Sequence, residues 1–314
     1  MRPSYLELHN TGELKRRADL AISMLAECRM CPRECRVNRL EDERGFCGIG
    51  HRSVVASYNP HYGEEAPLVG EHGSGTIFFA GCNLGCRFCQ NYDISHDGNA
   101  GVAAEPDQLA GVMLSLQDEG CHNINFVTPS HNVAQILEAL TLAVDYGLKI
   151  PLVYNTSSYD SLETLKLLDG VVDIYMPDVK MWDSAPSKQY LRAKDYPKWA
   201  QAAVKEMHRQ VGDLTLNGNG IAERGLLVRH LVMPGGIAGT DKWIHFLAGL
   251  SKNTYLNLMD QYRPCGEANQ FAEIDRMITA EEFGAAKVEA KKCGLTRLDE
   301  RDDRFFQRLL KKSH

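Results

Sequence analysis

The sequence predicts an α/β fold, a partial (β/α)6 barrel with a small N-terminal cysteine-rich metal lobe in front of it. Three observations lead there. From about Gly75 onward the hydrophobic periodicity switches repeatedly between strand-like and helix-like. The strand-like runs are apolar almost throughout, as parallel strands covered on both faces are. The first 70 residues break this rhythm and carry four closely spaced cysteines among glycine and proline.

In chain order, residues 1–70 read as a helix near Gly12–Ala26 followed by the four-cysteine lobe, and residues 71–314 as the barrel. Strands are expected at Thr76–Ala80, Asn123–Val127, Ile150–Asn155, Val172–Val179, Leu226–Met233 and Tyr255–Met259, each rich in β-branched or aromatic residues. Between them lie amphipathic helices: Leu109, Val112, Met113 and Leu116 keep the helical spacing, as do Val133, Ile136, Leu137 and Leu140. Glu105-Pro106 marks a helix start, since proline suits the first turn. Residues 181–224 read as an insertion with a charged helical stretch around Trp199–Gln210 and a turn at Asn217-Gly218-Asn219-Gly220. Active sites of parallel α/β sheets lie at the carboxyl ends of the strands, so the polar residues ending each strand are the candidates.

Composition narrows the function classes. With 44% hydrophobic and 24% charged residues, the 314-residue chain is neither disordered nor fibrous. A formal charge of -6 argues against a nucleic-acid partner held by a basic surface. The first residues carry no apolar signal region, and no segment reaches the roughly 18 apolar residues of a membrane span, so no membrane partner and a cytoplasmic location are expected. In a reducing compartment ten cysteines are ligands before they are disulfides, and seven of them fall into two spaced groups.

The first group is Cys82, Cys86 and Cys89, at C-x3-C-x2-C directly after the first barrel strand. Closed tetrahedral metal sites and fully protein-ligated iron-sulfur clusters take four protein ligands, so three thiolates leave one iron of a cubane open for chemistry. Gly81 and Gly85 provide small residues where backbone must wrap a cluster. The plainer alternative is a zinc knuckle that borrows a fourth ligand such as His96. The second group is Cys28, Cys31, Cys35 and Cys47, spaced C-x2-C-x3-C-x11-C. These four make a closed site that suits zinc or a 4Fe-4S cluster equally, and a structural role is favoured over an electron relay.

The strand ends supply the remaining candidates. Thr128-Pro129-Ser130-His131-Asn132 offers hydroxyls that bind a ligand or cap the helix beginning at Val133. Tyr154-Asn155-Thr156-Ser157-Ser158 and Tyr175-Met176-Pro177-Asp178-Val179-Lys180 end the third and fourth strands, and a surface salt bridge is the plain alternative for Asp178 and Lys180. In the fifth strand Arg229 and His230 fall on opposite faces, and the alternation leaves open which of them looks into the barrel. The sixth strand leads to Asp260-Gln261-Tyr262.

Taken together, the cysteine lobe, Gly-Cys-Asn-Leu-Gly-Cys-Arg-Phe-Cys-Gln-Asn, Val-Thr-Pro-Ser-His, Met-Pro-Asp-Val-Lys, Val-Arg-His-Leu-Val-Met-Pro-Gly and Met-Asp-Gln-Tyr resemble the radical S-adenosylmethionine (SAM) proteins related to pyruvate formate-lyase activating enzyme. The resemblance spans nearly the whole chain and implies a radical SAM barrel. It further implies a 4Fe-4S cluster on Cys82, Cys86 and Cys89 that passes one electron to SAM and yields a 5'-deoxyadenosyl radical able to abstract hydrogen. By the same resemblance Phe88 packs near the adenine, Lys180 meets the SAM carboxylate, and Thr128, Ser130, Asn155, Asp178 and Gln261 line the pocket. Asn155, Thr156, the Met176 carbonyl and Asp178 correspond to oxygens that help bind a monovalent cation, with Asn155 in place of a carboxylate. The Gly-Gly-Glu segment common in radical SAM families is replaced here by the Thr128–Asn132 segment. The expected partners are a one-electron donor such as flavodoxin or ferredoxin and a glycyl-radical enzyme. The alternatives for the radical's target are a small metabolite or another protein side chain, and the non-enzyme alternative is a cysteine-rich metal-binding interaction module.

Overall fold

The computed structural model describes residues 2–299. Two helices, α1 (Tyr5–Asn10) and α2 (Glu13–Ser23), precede the irregular cysteine-rich segment, which runs into β1 (Ser53–His61) and α3 (Ala66–Val69). The chain continues through β2 (Ser74–Phe79), α4 (Tyr92–Ser95), β3 (Val102–Ala104), α5 (Pro106–Asp118), β4 (Ile124–Val127), α6 (Val133–Asp145), β5 (Leu152–Thr156) and α7 (Leu162–Leu167). It ends with β6 (Ile174–Val179), α8 (Ser184–Leu191), α9 (Tyr196–Val211), β7 (Thr215–Leu216), β8 (Ala222–Leu231), α10 (Thr240–Leu250), β9 (Tyr255–Met259) and α11 (Ala280–Lys292). No helix among the described residues is long and apolar enough to cross a membrane.

The six expected strands are β2, β4, β5, β6, β8 and β9, and each is a parallel neighbour of the next. Sequential order means that every crossover steps the same way, which curls a twisted sheet toward a barrel. Among the described residues β9 does not pair with β2, so the barrel stays open. Three further strands extend the sheet: β1 lies antiparallel on β2, β3 antiparallel on β1, and β7 antiparallel on β8. Residues 53–61, inside the segment read as lobe, thus join the barrel sheet. Their signal, Ser-Val-Val-Ala-Ser-Tyr, is a short β-branched run that cysteine and glycine surround.

The central barrel strands bury two faces, whereas the edge strand β9 buries one and half-covers the other. The outward face sends Phe126, Tyr154, Tyr175 and Val228 into the main core beneath the helices. The inward face places Val153, Ile174, Met176 and Leu227 in a second cluster, which Leu68 of α3 completes. Helix α5 starts where the sequence places it, with Pro106 in its first turn and Glu105 and Gln108 exchanging capping bonds. Helix α9, within residues 181–224, packs against both β6 and β8, and Gln210 accepts from the Tyr175 hydroxyl at 2.6 Å. It occupies the place of the crossover helix between those two strands.

Candidate active site

The loop after β2 carries Cys82, Cys86 and Cys89. Its backbone doubles back through Gly81 (φ +72) and Gly85 (φ +76), a region that favours glycine. At Gly81 the requirement is strict, because a Cβ there would stand 2.2 Å from the Cys47 carbonyl oxygen. The lobe holds the loop from outside. Arg33 donates to the carbonyls of Asn83 and Leu84, both at 2.8 Å, and Asn83 donates to the Tyr159 carbonyl at 2.7 Å. Donors also reach the sulfurs: the Leu84 amide lies 3.3 Å from Cys82 Sγ, and the Ser95 hydroxyl 3.2 Å from Cys89 Sγ. Burial pushes the Cys82 and Cys86 thiols up, with Lys180 pulling the other way, so an electropositive partner must offset the cost of a thiolate here.

Opposite the loop, three adjacent strands end in a charged cluster. Asp178 of β6 sits level with Arg229 of β8, and Asn155, next to last in β5, lies beside them. Asp178 accepts from Arg229 Nε at 2.6 Å and from Lys180 Nζ at 2.9 Å, while Arg229 also donates to Asn155 Oδ1 at 2.8 Å. Burial opposes ionisation of Asp178, but Arg229 and Lys180 prevail and hold its carboxyl down to about 2. Burial likewise opposes the Lys180 ammonium, but Asp178 and Cys86 together hold its pKa above the ordinary value. The Lys180 backbone is fixed as well, its amide donating to the Tyr196 hydroxyl at 2.9 Å, which in turn donates to the Asp178 carbonyl at 3.1 Å.

Arg229 is the side chain that looks inward. His230 turns to the helices, where Nδ1 meets the Val179 carbonyl at 2.8 Å and Nε2 the Thr240 hydroxyl at 2.9 Å. Burial lowers its pKa to about 4, which keeps it neutral. Two residues that the sequence analysis did not single out complete the lumen. Glu64 lies 3.4 Å and Glu65 3.9 Å from Arg229, and Asn257 of β9 donates to Glu65 at 2.7 Å. Burial, against the opposing pull of Arg229, raises Glu65 to about 7. Asn125, fully buried between the outward-facing Ile124 and Phe126, therefore faces the lumen, and neither atom of its amide has a partner.

Residues 76–224 match the family model of the radical SAM superfamily. An uncharacterised protein of Methanocaldococcus jannaschii is 33% identical over 299 residues, covering 92% of this chain and 82% of that protein. The chain belongs to the radical SAM superfamily. Among solved structures, the radical SAM methyltransferase TsrM from Kitasatospora setae, with cobalamin and a 4Fe-4S cluster bound, is similar at 14% identity and a TM-score of 0.44. That likeness covers 63% of this chain and 40% of the methyltransferase.

Membership in the radical SAM superfamily implies a 4Fe-4S cluster and SAM, and the donor set fits the cluster. Zinc with thiolates at about 2.3 Å brings the sulfurs within about 3.8 Å of one another. Among the described residues the one group of three or more His, Cys, Asp or Glu ligand atoms within 4.8 Å of one another is His245, Glu289 and Cys293, so the triad is too widely set for a single ion. That spacing fits a cluster better than the zinc-knuckle alternative. His96, the fourth ligand that alternative names, stacks on Tyr92 at 4.0 Å and meets the Ser95 hydroxyl through Nδ1 at 2.9 Å, while its Nε2 is buried without a partner.

The other expected residues of the radical SAM site fall in different places. Phe88 is buried edge-on to Tyr262, with ring centres 6.1 Å apart. Thr128 adopts a left-handed backbone (φ 56) at the end of β4, and its amide donates to the Asn155 carbonyl at 2.9 Å. Ser130 is drawn to the outer side, its hydroxyl 3.1 Å from that of Thr156, which donates to buried Asp160 at 2.6 Å. Gln261 is exposed just past β9. Asn155 and Asp178, two of the oxygens assigned to a monovalent cation, accept from Arg229, so a side chain supplies the positive charge at these strand ends. The four cysteines of the lobe line one cavity behind the triad loop.

Proposed function

We propose that this chain is a radical SAM enzyme that cleaves SAM reductively and abstracts a hydrogen atom from a glycyl residue of a partner enzyme. The observation that carries the first part is that the three-cysteine loop and the Lys180–Asp178–Arg229 cluster both stand at the carboxyl ends of strands of one parallel sheet. Cys82, Cys86 and Cys89 would hold a 4Fe-4S cluster, which would supply the one electron needed to split SAM into methionine and the 5'-deoxyadenosyl group that takes the hydrogen. Lys180, held by Asp178, offers its ammonium to the SAM carboxylate, and Phe88 with Tyr262 forms an aromatic wall suited to a nucleobase. The apolar floor of Val153, Met176 and Leu227 excludes water from below. Electrons come from a one-electron donor such as flavodoxin or ferredoxin.

The glycyl target is supported by the likeness of the Asn155 and Asp178–Lys180 strand ends to the activating enzyme. A small-metabolite target is the second reading, favoured by the polar lumen around Glu65 and the unpartnered amide of Asn125. The test is anaerobic reconstitution with iron, sulfide, dithionite and SAM. Formation of 5'-deoxyadenosine and methionine is expected, with loss of both when Cys82, Cys86 or Cys89 is changed to Ser while the circular dichroism is unchanged. Product formation that survives these changes overturns the assignment. Incubation with candidate glycyl-radical proteins then separates the targets, since a glycyl EPR doublet appears only under the first reading.

A further inference from the structure

We propose that Cys28, Cys31, Cys35 and Cys47 hold a second 4Fe-4S cluster, with every iron bound by the protein, and not zinc. All four thiols are free and line a single cavity, whose other walls include Met30, Val37 and Phe46. Convergence alone suits either metal. The spacing decides: no three of these sulfurs lie within 4.8 Å of one another, whereas a tetrahedral zinc draws its thiolates to about 3.8 Å. A four-iron cube sets its thiolates on separate irons and spreads them farther apart.

The lining suits an anionic cluster whose surface carries acceptors. The Phe46 amide donates to Cys35 Sγ at 3.3 Å. Arg39, only 1% exposed, anchors Nε on the Gly50 carbonyl and Nη1 on the His131 carbonyl, both at 2.9 Å, and Nη1 also lies 3.8 Å from Cys28 Sγ. Its Nη2 is buried without a partner, on a side chain that lines the cavity. A buried guanidinium with an unspent donor is costly beside apolar walls, and the sulfides of a cluster accept such bonds. Asn83, from within the triad loop, forms part of the same wall, so the two cysteine sites are immediate neighbours.

The proposal stands apart from the radical reading, because its decisive protein cannot cleave SAM. The triple variant C82S/C86S/C89S, purified anaerobically after expression with iron, is expected to retain about four irons and four sulfides per chain and no zinc. On reduction it should give an EPR signal that added SAM leaves unchanged, since no iron has an open position. One zinc per chain without iron, or a folded chain with no metal, overturns the proposal. Should the triple variant fail to fold, the reconstituted wild-type chain decides instead: about eight irons support the second cluster, and about four irons with one zinc, or four irons alone, overturn it. C31S/C35S should then lower the iron content by about half.

Discussion

Changing Asp178 to Asn keeps the shape of the side chain and removes the charge that Lys180 and Arg229 share. Among the described residues Asp178 is the carboxylate that Lys180 pairs with, whereas Arg229 keeps Asn155 and Glu64. Removing one member of a buried pair costs about 3–5 kcal/mol, and the contacts left to Arg229 place this case at the lower end. The carboxyl gives a consistent figure, since a pKa near 2 against an ordinary 3.8 corresponds to about 2 kcal/mol. Because the pKa is lowered by folding, that stability is complete above about pH 4 and is lost as the pH falls toward 2. Anaerobic urea unfolding followed by circular dichroism should therefore show the variant weaker by about 2–3 kcal/mol, equally at pH 7 and pH 5. A difference below about 0.5 kcal/mol at pH 7, or one that fades between pH 7 and 5, refutes the reasoning and assigns the cluster's stability to another group.

Glu65 predicts the opposite slope. Its raised pKa makes the folded state the better proton binder, so stability should fall as the pH rises from about 4.5 to 7, and Glu65→Gln should flatten that fall in the same unfolding assay. Gly81→Ala forces a Cβ onto the Cys47 carbonyl at a positive φ and should cost about 2 kcal/mol or more, read as a lowered melting temperature with reduced iron content. Arg33→Ala frees the Asn83 and Leu84 carbonyls, and faster loss of iron to a chelator is the expected result; an unchanged rate counts against the lobe's grip on the triad loop.

The six parallel strands and the cysteine triad were legible because each carries its signature within a few consecutive residues. A strand covered on both faces is an apolar run wherever it stands, and C-x3-C-x2-C needs no distant partner to be noticed. Arg229 and His230 were half legible. Alternation separates their faces, but the inward one is chosen by Asp178, 51 positions away, and by the Thr240 hydroxyl that claims the histidine. Glu64 and Glu65 escaped notice because adjacent acids beside glycine read as a solvated turn; their arginine lies 165 residues from Glu64. The lobe's Gly-rich setting hid β1 in the same way, since it becomes a strand by pairing with β2 and β3, which lie farther along the chain.

Helix α6 is buried at nine of its thirteen residues, lying over the sheet and beneath α2. A helix that roofs a sheet and faces water on its other flank keeps about half its surface polar. This one has given up that flank. Trimming the amino-terminal helices would therefore expose a greasy ridge of Val, Ile, Leu and Ala, and the shortened protein would be expected to self-associate. The front of the polypeptide and this mid-chain helix thus depend on each other, the one as cover and the other as the surface it covers.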